Sequence, residues 1–88
     1  MPYIKKKDRE KVDSDIKKLA ETVSGEPLEN QDGMLNYIIS RLLLKTYPAK
    51  YFSYNRAIGM LESCKLEFYR RFVGKYEDKK IKENGDII

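Results

Sequence analysis

A chain of 88 residues with net charge +4, no histidine and one cysteine narrows the chemistry at once. It is long enough for one small domain, without an internal disulfide and without histidine-based zinc sites or acid–base catalysis. No run approaches ~18 apolar residues and no apolar stretch follows Lys5 to Lys7, so neither a spanning helix nor a secretory signal is expected, and a reducing cytoplasm suits the lone thiol of Cys64.

Residues 1–12 read as an arm followed by a charged turn or two, in which the alternating charge from Lys5 to Lys11 is compatible with a helix. Asp13 is placed as an N-cap for a first helix over about 13–24. Val12, Ile16, Leu19, Ala20 and Val23 recur at helical spacing and make one apolar face. Gly25 is positioned to end that helix in the left-handed conformation. The polar run Gly25 to Gln31, with Pro27 inside it, reads as a loop.

Asp32 is expected to cap a second helix over about 32–47, stopped by Pro48. Met34, Leu35, Tyr37, Ile38, Ile39, Leu42, Leu43 and Leu44 cover nearly its whole circumference. A helix apolar all round is buried all round, and two neighbours in a three-helix protein cannot cover it, so a second subunit is expected. A third, long helix is expected over about 53–80, with Ser53 as its cap and a charged extension over 77–88. Tyr54, Ile58, Leu61, Phe68, Phe72 and Tyr76 share one stripe of it. No period-two alternation suggests a strand. The fold class is therefore all-α: a single helical domain that oligomerises through its second and third helices.

Lys65 falls in the middle of the third helix's apolar stripe, where an ammonium needs a carboxylate, a subunit boundary or a bound anion. Glu62 stands at i,i+3 from it and Tyr69 one turn later. Arg41 and Lys45, one turn apart on the apolar second helix, need partners too. They either pair with Glu62 and Glu67 or converge with Lys65 on a phosphate-bearing ligand, for which arginine's planar fork is well shaped. Asn36 and Tyr37 are then placed to read a ring or ribose, and Arg71 lies at the edge of the stripe. The candidate ligand set is Asn36, Tyr37, Arg41, Lys45, Lys65, Tyr69 and Arg71. Gly59 and Ser63 form a small-residue groove that, with Leu66 and Arg70, offers a second contact face to a protein partner. The basic residues from Arg70 to Lys82 are interleaved with Tyr69 and Tyr76, as single-strand binding requires, but Glu67, Glu77, Asp78 and Glu83 interrupt the track. No glycine-rich phosphate loop, CxxC, nucleophile elbow or metal-placed carboxylate pair is present, so neither an enzyme nor a bound cofactor or metal is expected.

The opening Met-Pro-Tyr-Ile, Leu35-Asn36-Tyr37-Ile38 with Arg41-Leu42-Leu43, Tyr54-Asn55 with Ile58-Gly59, Lys65 to Arg71, and Tyr76 to Asp86 together resemble a small uncharacterised family met in bacteria and their phages. That family has no settled activity and implies no functional residues. In size, basic character and implied oligomer, the chain is more loosely similar to phage sponge proteins, which sequester the nucleotide messengers of bacterial immunity. The expected function is a non-enzymatic homo-oligomer in the cytoplasm of a bacterial host cell, binding a small anionic ligand of the nucleotide type. The alternatives are an adaptor or phage inhibitor docking on a host protein through the third helix, and a nucleic-acid binder.

Overall fold

The computed structural model describes residues 4–88. These form α1 (Lys6–Ser24), α2 (Leu28–Thr46), α3 (Tyr51–Phe68) and α4 (Gly74–Asn84), with one π-helical turn (Tyr69–Val73) between α3 and α4. Backbone angles stay right-handed helical at Phe68, Tyr69, Val73 and Gly74, so α3, the π turn and α4 are one unbroken long helix. The protein is all-helical, three helices in sequence, with no strand among the described residues. Among those residues no helix is long and apolar enough to cross a membrane.

The helix starts differ from the capping signals. α1 begins seven residues before Asp13, with Lys5 in an extended conformation as N-cap and no side-chain cap. The alternating charges of the expected arm account for this: they suit a helix, and Lys11 and Asp8 pair across one turn at 3.4 Å. Residues 1–3 of that arm lie outside the described residues. Gly25 does end α1, but with φ −77°, in the right-handed region. Its N–H still donates to Glu21 O, and the next turn closes with Glu26 N–H to Val23 O, so no left-handed residue is required. α2 starts at Leu28, directly after Pro27, whose carbonyl accepts from Asn30 N–H. The loop is thus shorter than expected and Asp32 lies inside the helix. Pro27 sets the backbone for a helix start and has no N–H to leave unsatisfied. Likewise Lys50, not Ser53, precedes α3, and Ser53 is buried inside it.

Helix ends follow the sequence more closely. α2 stops at Thr46, two residues before Pro48. α4 stops at Asn84, and Gly85 takes the one positive φ among the described residues, 90°, a conformation that favours glycine.

The chain divides into two compact units, one ending at Leu42 and one running from Leu43 to Ile88. In the first, α1 and most of α2 form a hairpin in which Val23 is 6% exposed. In the second, Ala57 is buried beside Ser53 on α3. Among the described residues, Val23 and Ala57 are the buried apolar side chains. α2, expected to be buried all round, buries no residue fully: Leu35, Ile39, Leu42 and Leu44 are all exposed. The single chain leaves 8302 Å² accessible.

Candidate functional site

Four cations of the long helix, Lys65, Arg70, Arg71 and Lys80, are met by a carboxylate of the same helix. Lys65 Nζ lies 3.2 Å from Glu62 Oε1, and both side chains are more than half exposed. The lysine that breaks the apolar stripe therefore carries its own counter-ion, on the surface. Glu67, half-buried, takes Arg70 Nη2 on one oxygen at 2.9 Å and Arg71 Nη1 on the other at 3.7 Å. Lys80 pairs with Glu83 at 3.1 Å and stands 5.5 Å from the centre of the Tyr76 ring. These i,i+3 and i,i+4 pairs fix local side-chain positions and contribute little stability at such exposure.

The π turn is the least ordinary backbone feature. Gly74 N–H donates to Tyr69 O, the i to i+5 bond that inserts one residue into the ladder. The Tyr69 hydroxyl donates to Glu77 Oε1 at 2.6 Å, spanning the whole turn. By that hydrogen bond first, and then by its charge, Glu77 raises the Tyr69 hydroxyl above its ordinary pKa of 10.0. Phe68 and Phe72 stack at 5.1 Å with a 49° tilt across the same segment. The turn thus gathers two arginines, two carboxylates and three aromatic rings on one stretch of helix. Glu77 and the π turn escaped the sequence reading. The stripe steps by four, three and seven from Tyr54 to Phe68 and then by two fours through Phe72 to Tyr76, a lengthening compatible with one inserted residue.

On α2 the arrangement differs. Arg41 and Lys45 are exposed and take part in no ion pair or hydrogen bond among the described residues. Asn36 accepts from the Ser40 hydroxyl at 3.4 Å, and Tyr37 is 66% exposed. Tyr37 also borders a groove of about 430 Å³ with Glu26, Glu29, Asn30, Gly33, Met34 and Ile38. Two carboxylates on that wall disfavour an anion there. Of the seven expected ligand residues, Lys65, Tyr69 and Arg71 are committed to Glu62, Glu77 and Glu67, while Arg41 and Lys45 keep free charges.

On the expected partner face, Gly59 has open space where a Cβ would stand, Leu66 is 57% exposed and Ser63 is exposed. Arg70, on the same face, is held by Glu67. Among the described residues no group of three histidine, cysteine, aspartate or glutamate side chains is placed to hold a metal ion.

An apolar groove lies within the first unit. Ile16, Leu19, Ala20 and Val23 of α1 and Leu35, Ile38 and Leu42 of α2 line a groove of about 240 Å³ with no polar residue in its wall.

No curated protein and no solved structure matches this chain. The family model described as Domain of unknown function (DUF6899) matches residues 1–87. The chain, an all-helical protein with exposed apolar faces, belongs to the DUF6899 family.

Proposed function

We propose that this protein works by association rather than catalysis, as a homo-oligomer whose outward charges meet a ligand or partner. The observation that carries the reading is that one chain of 10.4 kDa buries Val23 and Ala57 and leaves Leu35, Leu42, Leu44, Ile58, Phe68 and Phe72 exposed. Apolar side chains left this exposed on a chain of 88 residues are what association with further copies covers. A reducing bacterial cytoplasm fits the exposed thiol of Cys64. Sedimentation equilibrium tests the proposal: an integral multiple of 10.4 kDa at micromolar concentration is the expected result, and a 10.4 kDa species throughout overturns it.

Within that reading, Arg41 and Lys45, which take part in no ion pair among the described residues, are the groups to hold a small anionic ligand of the nucleotide type, sequestered as phage sponge proteins do. Calorimetry with cyclic and ADP-ribose-derived nucleotides should give heat that Arg41→Glu abolishes. No heat from any of them with the folded oligomer removes the ligand. Capture of a host protein through Gly59, Ser63, Leu66 and Arg70 is the competing reading. It requires that Arg70→Glu abolish capture while leaving the oligomer intact.

A further inference from the structure

The geometry points to the α1–α2 groove as the surface on which a second copy of this chain docks, hairpin against hairpin. This rests on the self-association proposed above and names its interface. Val12, Ile16, Leu19 and Val23 on α1 step by four, three and four, and Leu35, Ile38 and Leu42 on α2 step by three and four. That is the seam of a left-handed bundle, in which each apolar residue inserts among those of a facing helix. Two helices show one half of such a seam. Ile16, Leu35 and Leu42 stand about half exposed on it, although every residue lining the groove is apolar.

The choice of occupant follows from chemistry. The chain's other long apolar stripe, on α3, carries Lys65 at its middle, paired with Glu62. A groove without a polar residue in its wall offers that ammonium and carboxylate nothing, and burying them there strips both ions of water without a new partner. The α1–α2 seam meets no charge when it meets itself. Two copies related by a two-fold axis place the same seven residues opposite one another and complete a four-helix bundle.

The test uses full-length protein. Ile16→Glu and Leu42→Glu each place a charge in the seam, at positions exposed enough in one chain for the hairpin to fold. Each should shift the species from oligomer to 10.4 kDa while circular dichroism remains helical. Phe68→Glu, on α3, should leave the mass unchanged. As a gentler measure, Ile16→Cys in a Cys64→Ser background should react with maleimide about tenfold slower, or more, at associating concentrations than in dilution. An oligomer that keeps its mass in Ile16→Glu and Leu42→Glu, with thiol rates independent of concentration, overturns the groove and leaves self-association standing. A wild-type chain that is monomeric at every concentration overturns both.

Discussion

Melting temperature should depend on protein concentration, and the structure sets how strongly. Among the described residues Val23 and Ala57 are the buried apolar side chains, so under the proposed self-association the folded state draws its burial from other copies, and folding is linked to association. Unfolding entropy near the transition is about 2.1 cal/mol/K per residue, or about 0.37 kcal/mol/K for two chains of 88 residues. A tenfold dilution removes RT ln 10, about 1.5 kcal/mol at melting temperatures, from a dimer that unfolds to two chains. The midpoint should therefore fall by about 4 °C per decade of dilution. Helical circular dichroism at 222 nm, followed from micromolar to hundred-micromolar protein, reads this directly. A midpoint constant across that range would mean that each chain supplies its own core and that the exposed apolar faces are not covered by further copies.

Gly59 discriminates between a free and a docked α3 face. A Cβ there meets nothing within 4 Å in the single chain, so Gly59→Ala should stabilise the helix by roughly 0.5–1 kcal/mol in denaturant titration. Destabilisation instead would show another helix packed against that position. Lys65→Gln removes one exposed ion pair and should change stability by no more than about 0.5 kcal/mol, so a loss of several would reveal a buried role for the ammonium. Because Glu77 raises the Tyr69 pKa, the neutral phenol is favoured in the folded state; what that contact contributes is present below the ordinary tyrosine range and lost as pH rises through the raised value. Glu77→Ala should move part of the tyrosinate absorbance titration to lower pH, and the same change in a Tyr69→Phe background should have no such effect. An unshifted titration would separate Tyr69 from Glu77 in solution.

Local features were legible in the residues and non-local ones were not. The helical class, the apolar steps on α1 and the stop before Pro48 all follow from interactions within a few positions, and periodicity and proline chemistry report those directly. The Lys65–Glu62 pair was visible for the same reason, since residues three apart on a helix are neighbours. Helix starts were misplaced because several residues compete to cap them: Asp13, Asp32 and Ser53 are good caps, yet Pro27 and the alternating charges before Asp13 let the helices begin earlier. Tyr69 and Glu77, eight residues apart, meet across a π turn that no propensity announces.

Sequence by itself determined that the chain is helical and which residues share a face, because side-chain spacing along a helix is a local consequence of 3.6 residues per turn. Only the tertiary structure decided which of those faces stay uncovered, and that α2, apolar around its circumference, is exposed in one chain. Burial depends on every other element at once, so a stripe of leucine and isoleucine looks the same in the sequence whether its partner is the same chain or the next one.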